Sequence, residues 1–195
     1  MRRALPFVAV VLAVVALDQV TKFVTLKELT TAFAGSESPV SVFIGSGPDL
    51  ALDGFHYRPL APRVISADFF QLRYAENPGA AFGLFSTVAA QWRGPLFHFV
   101  SIAAVLLIAF YASKLTGDPS ERWAKWGLPL VMGGALGNYL DRLIRGYVID
   151  FLEVHWFEKA YWPAFNIADS AIVIGVALLL IDTFVRPAGR KPGVA

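Results

Sequence analysis

Four stretches of this chain are long enough, and apolar or nearly so, to cross a lipid bilayer. A spanning helix needs about 20 mostly apolar residues. Inside hydrocarbon every backbone polar group must find its partner within the chain, so such stretches fold as helices. The pattern predicts spans over 5–23, 95–113, 123–141 and 167–185. The third is the weakest, being broken by Gly133, Gly134 and Gly137. Composition points the same way. The chain is 56% hydrophobic and 16% charged, where an average soluble domain is nearer ~25% charged. The expected fold is therefore one integral membrane domain over 1–195, all-α, with four transmembrane helices.

Lys and Arg in short loops orient such a bundle. Arg2 and Arg3 precede the first span, Lys114, Arg122 and Lys125 lie between the second and third, and Arg186, Arg190 and Lys191 follow the fourth. With four spans all three groups share one side, so both termini are expected to be cytoplasmic. Segments 27–92 and 143–163 then lie outside. Arg58, Arg63 and Arg73 fall in the long outer segment, but long loops translocate regardless of such charges. A cleaved signal peptide is a rival reading of the first span. Its apolar run is longer than usual, and the small-residue site Ala32-Phe33-Ala34 lies too far beyond it.

Within the outer segment, 35–65 is rich in Gly, Pro and Ser and reads as an irregular insertion. Residues 68–75 partly alternate apolar and polar and end at a turn over Asn77-Pro78-Gly79. They predict a strand of a small extracytoplasmic β-sheet.

Five polar clusters are set against this apolar background: Asp18-Gln19-Val20-Thr21-Lys22, Asn77-Pro78-Gly79-Ala80-Ala81-Phe82, Gly137 to Arg142, Val148-Ile149-Asp150-Phe151, and Phe165-Asn166-Ile167-Ala168-Asp169. The expected topology brings all of them to the outer interface. Ionisable groups at membrane depth are costly and mark function. Several have plainer readings. Asp18 and Lys22, four apart, can pair along a helix or snorkel to headgroups. Gly133-x-x-x-Gly137 is a packing motif. Asn138 and Asp141-Arg142 can be a cap and an ion pair, Asn77 a turn residue, and Asn166 a helix cap. Asp182, with Arg186 four residues on, reads as a surface ion pair. Asp150 and Asp169 have no adjacent cation, and a lone carboxylate beside an apolar span is expensive.

The net charge of +2 with no long basic run excludes a nucleic-acid partner, and there are no cysteines. His56, His98 and His155 are scattered, His98 at an expected helix end, so no metal site and no cofactor are expected. Ser101 and Ser170 lack a nucleophile-elbow setting, and a dyad of serine with Lys22 has no sequence support. Trp92, Trp123, Trp126, Trp156 and Trp162 fall near expected interfaces, as aromatic belts do. Two carboxylates without a metal motif suggest aspartic hydrolysis, in which a close pair shares one proton.

Taken in order, Asp18-Gln-x-Thr-Lys22, Asn77-x-Gly-Ala-Ala-Phe82, Gly133-Gly-Ala-Leu-Gly-Asn-x-x-Asp-Arg142, Val148-x-Asp-Phe151 and Phe165-Asn-x-Ala-Asp169 resemble the signature blocks of lipoprotein signal peptidase, or signal peptidase II. The resemblance covers about 17–182. It implies a bacterial inner-membrane aspartic endopeptidase. Such an enzyme acts on diacylglyceryl-modified prolipoproteins among membrane lipids and cuts N-terminal to the lipidated cysteine. It implies Asp150 and Asp169 as the catalytic pair. It also implies Asn77, Asn138, Arg142 and Asn166 around the substrate or the pair, and Asp18, Lys22 and Asp141 as supporting positions. The 35–65 stretch is longer than the family pattern.

Other classes make different demands. A small transporter or channel with a carboxylate-lined path needs polar groups on both sides or near the midplane. A lipid-binding or assembly protein would tolerate loss of Asp150 and Asp169. A presenilin-like peptidase would carry a Gly-x-Gly-Asp block, which the sequence lacks. As partner of Asp169, Asp150 is expected over Asp141. The neighbouring Arg142 suits Asp141 to an ion pair, whereas Asp150 has no cation beside it.

Overall fold

The computed structural model describes residues 4–35, 38–45, 55–78, 90–116 and 118–185. Their elements run α1 (Ala4–Leu29), α2 (Pro39–Ile44), β1 (Arg63–Ser66), β2 (Phe70–Asn77), α3 (Ala90–Ser113), α4 (Arg122–Arg145), β3 (Val148–Trp156), β4 (Ala160–Tyr161) and α5 (Ile167–Val185). Arg2, Arg3, Ser46, Arg186 and the Gly79 to Phe82 part of the second polar cluster lie outside the described residues.

Among the described residues, three helices are long and apolar enough to cross a membrane: α1, α3 and α5. Their outer faces expose Leu12, Phe99, Leu106, Val173 and Phe184. α4 is as long as α3 but lacks that apolarity, so four spans do not follow from composition alone. Its position explains the difference. α4 packs against α1, α3 and α5 at once, so most of its surface meets protein. A central helix needs small residues more than apolar ones. A Cβ on Gly133 would meet Val14 at 2.7 Å, one on Gly137 would meet Asp18 at 2.7 Å, and one on Gly134 would run into the Ala168 carbonyl. The glycines that weaken the third stretch as a span are the ones that admit α1 and α5.

α4 ends at Gly146, whose φ of 81° lies in the left-handed region that glycine adopts freely. The chain turns there into β3. The sheet has the order β1-β2-β3-β4 and is antiparallel throughout. The strand expected at 68–75 runs instead from Phe70 to Asn77, because β3 continues the ladder: Ala75 faces Asp150, Glu76 faces Ile149 and Asn77 faces Val148. Asn77 is thus a strand residue, and the turn expected over 77–79 runs on to Gly79, outside the described residues.

Strand side chains alternate between faces, and here the two faces differ in kind. Tyr74, Tyr147 and Ile149 join Leu26, Leu29 and Ala32 in a buried core. Asn77, Val148 and Asp150 turn to the other side. The described parts of the 35–65 segment hold α2, capped by Ser38 whose hydroxyl accepts from the Ser41 N–H, and the start of β1, and Pro59 bridges to Thr30 just past the end of α1.

Candidate active site

All the polar clusters in the described residues meet at the end of the bundle that carries the sheet. Phe165 pins the chain there. Its carbonyl accepts from the N–H groups of Phe151 and Leu152, and its N–H donates to the Leu152 carbonyl. The next residue, Asn166, is thereby set beside Asp150 at the start of α5.

Asn166 is fully buried and touches both aspartates. Its Nδ2 donates to Asp150 Oδ1 at 2.7 Å, and its Oδ1 accepts from the Asp169 N–H at 2.9 Å. Asp169 returns the contact, its Oδ2 accepting from the Asn166 N–H at 3.1 Å. This is a capping box with Asp in place of Glu. Asn138 Nδ2 donates to Asp169 Oδ1 at 2.7 Å, and Asn77 Nδ2 donates to Asp150 Oδ2 at 3.1 Å. Every carboxylate oxygen of the two residues therefore has a donor. Burial, with the negative charge of Asp169 added, pushes the Asp150 carboxyl up to about 7.

Both aspartates open onto one cleft of about 680 Å³, shared with Asn77, Asn138 and Arg142. Its other walls include Val148, Trp162, Phe165, Ile172 and Val173. The polar groups crowd one end of an otherwise apolar groove. The Arg142 guanidinium lies 4.9 Å from the Phe97 ring centre, and its Nη1 reaches the Asn138 carbonyl at 3.5 Å.

Behind this shell is a buried charge network. Lys22 Nζ is 2.8 Å from both Asp18 Oδ2 and Asp141 Oδ2, and it donates to Asn138 Oδ1 at 3.2 Å. Arg145 Nη1 donates to Asp141 Oδ1 at 2.7 Å. Asp18 Oδ1 accepts from the Ala168 N–H at 3.0 Å, so α1 caps the first turn of α5. Gln19 spans Asp18 and Asp141. Two carboxylates against two cations leave the cluster near neutral, the condition under which buried charges persist.

Several expectations are corrected here. Lys22 does not snorkel; it is fully buried. Asp141 pairs with Lys22 and Arg145 rather than with its neighbour Arg142, because residues four apart share a helix face and adjacent ones do not. Asp182 is not at the surface, and Arg186, its expected partner, lies outside the described residues. Asp182 is buried at the opposite end of the bundle and accepts from the Ala124 N–H at 3.3 Å, at the start of α4. His98 lies within α3 rather than at its end, edge-on to Tyr139. Among the described residues no group of His, Cys, Asp and Glu could hold a metal ion. Arg145 has no place in the polar clusters of the sequence, and Gln19, which belongs to the first of them, has no role assigned by it. The spacing of Arg145 four residues after Asp141 was the signal available for it.

A family profile described as signal peptidase (SPase) II matches residues 10–185. The chain belongs to the signal peptidase II family. A lipoprotein signal peptidase from Anaeromyxobacter sp. (strain Fw109-5) is 41% identical over 185 residues, covering 92% of this chain and 84% of the relative. One from Cellvibrio japonicus is 45% identical over 132 residues, 66% of this chain and 75% of the relative. Two bacterial membrane enzymes solved by the in meso method share the fold. Their TM-scores are 0.62 and 0.66, at 23% and 20% identity, over 95% and 93% of this chain and 94% of each neighbour. As a signal peptidase II the chain is a hydrolase of the aspartic type, and a membrane protein.

Proposed function

We propose that Asp150 and Asp169 are the catalytic pair with which this signal peptidase II hydrolyses its substrate. The family's activity, removal of signal peptides from prolipoproteins, is the activity of this chain. The observation that carries the site assignment is Asn166, buried between the two carboxylates and bonded to each. Asp150, pushed up to about 7, keeps the shared proton at neutral pH and gives it to the scissile carbonyl oxygen. Asp169 takes a proton from the attacking water and passes it to the leaving amine. Asn77, Asn138 and Asn166 hold the pair, while Lys22, itself held by Asp18 and Asp141, holds the Asn138 amide oxygen. Arg142, at the cleft wall, is placed for the substrate backbone. The apolar walls suit the acyl chains of a diacylglyceryl-modified cysteine, with the cut on its N-terminal side. No cofactor enters these steps.

The membrane arrangement belongs to the same proposal: one integral unit over 1–195, four spans, both termini cytoplasmic, and the site at the outer face of a bacterial inner membrane. α4 has 24 residues, about 36 Å of helix, which is enough to cross beside its three neighbours. A carboxylate-lined path is disfavoured, because α1, α3 and α4 close over Val11, Ile108, Ala124, Leu128 and Met132 below the cleft. The test is cleavage of a diacylated prolipoprotein by purified protein. Asp150→Asn and Asp169→Asn should each leave below about 1% of wild-type turnover, as expected for two groups with distinct proton-transfer roles. Substantial turnover by either folded variant refutes the pair. Reporter fusions at Ser46 and Ala195 should read outside and inside; matching signals refute four spans.

A further inference from the structure

The described parts of the 35–65 segment pack on the back of the strands whose front carries the cleft residues. Val42, Phe43, Phe55 and Tyr57 lie against the core of Leu26, Leu29, Tyr74, Tyr147 and Ile149. Two polar fastenings hold them. His56 Nδ1 is 2.6 Å from Glu76 Oε2, and the His56 N–H donates to Glu76 Oε1 at 2.9 Å. The same oxygen accepts from Tyr74 Oη at 2.7 Å, and the imidazole stacks on Tyr147 at 4.5 Å. The second fastening is the Phe43 carbonyl, which accepts from Arg145 Nη2 at 2.6 Å. Arg145 holds Asp141, and Asp141 Oδ2 accepts the Ile149 N–H at 3.1 Å.

The two fastenings converge on one rung of the ladder. Glu76 faces Ile149 across β2 and β3. Each is followed in sequence by a cleft residue, Glu76 by Asn77 and Ile149 by Asp150. Adjacent strand residues point to opposite faces, so a twist that frees Glu76 at the back swings Asn77 at the front. Asn77 is a direct donor to Asp150. The Glu76 side chain is only 6% exposed. A buried carboxylate with three donors is a fixed point, and removing one donor leaves it under-satisfied.

We propose that the 35–65 segment is a brace for the catalytic strand pair, and that His56 is its positioning residue, acting through Glu76 on Asn77 and so on Asp150. The proposal rests on the assignment of Asp150 above. It gives a role to the described parts of that stretch, and to a histidine that the chemistry of the cleft does not use.

The test compares His56→Ala, His56→Asn and Glu76→Ala with wild type in full-length protein. Turnover and KM are read on a diacylated prolipoprotein peptide, together with hydrogen exchange over 70–77 and 148–156. His56→Ala should lower kcat about tenfold, the scale of a small displacement of a positioned group, with KM within about twofold. Exchange of the β2–β3 ladder should quicken. His56→Asn, which keeps a donor near the Nδ1 position, should recover most of the loss. The double variant His56→Ala with Glu76→Ala should be no worse than the poorer single variant, because both act through one contact. Unchanged kcat in His56→Ala, with or without a lower melting temperature, overturns the brace. So does a loss that His56→Asn fails to recover. If His56→Ala does not fold, the comparison of His56→Asn with Glu76→Ala carries the same decision. Turnover surviving in Asp150→Asn, with faster ladder exchange in His56→Ala, would refute the catalytic pair and leave the brace standing.

Discussion

Asn166 and Asp169 cap each other: the side chain of each accepts the backbone N–H of the other across the first turn of α5, at 2.9 and 3.1 Å. The fold thus ties a helix start to a reactive carboxylate. Beyond capping, the Asn166 amide nitrogen donates to Asp150, Asn138 and the Ile149 carbonyl. The two jobs can be separated. Asn166→Ser retains a good cap but has no amide to reach Asp150. Its melting temperature should stay near wild type while turnover falls about a hundredfold or more, the scale for losing a preorganised donor at a reacting group. Asn166→Ala should lose the same activity and in addition about 1 kcal/mol of stability. Equal activity in the serine variant and the wild type would leave Asn166 as a cap alone.

Asp150 makes stability depend on pH in an unusual direction. Burial and the charge of Asp169 raise its carboxyl from 3.8 to about 7. A folded-state value above the unfolded one means that folding holds the proton. The stability this gives is complete below about pH 4 and is lost as pH rises through about 7. Three units at about 1.4 kcal/mol each amount to on the order of 4 kcal/mol. Asp150→Asn cannot ionise. It should therefore melt well above wild type at pH 8 and close to it at pH 4. Wild-type turnover should fall on the alkaline side of about pH 7, as the pair loses its shared proton. A melting difference that does not change with pH would remove the raised carboxyl from the argument.

Lys22 is the least replaceable residue outside the cleft. It faces two carboxylates at 2.8 Å with no solvent exposure. Removing one partner of a buried ionic cluster costs on the order of 3–5 kcal/mol, because the charge left behind is uncompensated. Lys22→Met should fold poorly or not at all. Adding Asp18→Asn removes the surplus negative charge, and at least half of the lost thermal stability should return. Activity should not return with it, because Asn138 Oδ1 would still lack the ammonium that helps orient its amide toward Asp169. If the double variant is no more stable than Lys22→Met, charge balance is not what Lys22 supplies.

How much could be read in advance follows from which contacts are local. α5 begins at the residue expected, 167, because an apolar run that opens on a polar cluster is visible in one dimension. α1 runs six residues past its expected end at 23. Lys22 is buried against Asp141 and Asn138, and Thr25 and Thr30 return their hydroxyls to carbonyls one turn back, so their polarity does not stop the helix. The Asp141 partner was misjudged because its cations come from the helix turn above and from a helix 119 residues earlier in the sequence. Asp150 and Asp169 stood out because neither had a local cation. β2 runs on to Asn77 for a reason that hides most strand ends: Asn-Pro-Gly has turn composition, but β3 supplies ladder partners up to Val148. The contact between His56 and Glu76, 20 residues apart in an irregular stretch, left no periodic trace.

Glycine spacing along α4 yields the last prediction, because the α4–α5 contact is tight at two places and only one of them adjoins Asp169. At Gly134 an added Cβ would strike the Ala168 carbonyl, one residue before Asp169. At Gly127 it would meet the Gly175 carbonyl at 2.8 Å, well past the first turn of α5. In both places the obstacle is backbone, which cannot rotate away, so the helices must part. Overpacking of this kind costs about 1–3 kcal/mol. Gly134→Ala and Gly127→Ala should therefore lose comparable stability. Their activities should differ. Parting the helices at Ala168 pulls Asp169 from Asn138 and the Ala168 N–H from Asp18, whereas parting them at Gly175 leaves the first turn of α5 in place. Measured well below both melting temperatures, Gly134→Ala should lose at least about tenfold in kcat, and Gly127→Ala should stay within about twofold of wild type. Equal losses in the two variants would mean that α5 moves as one rigid rod and that the glycine beside Asp169 has no local role.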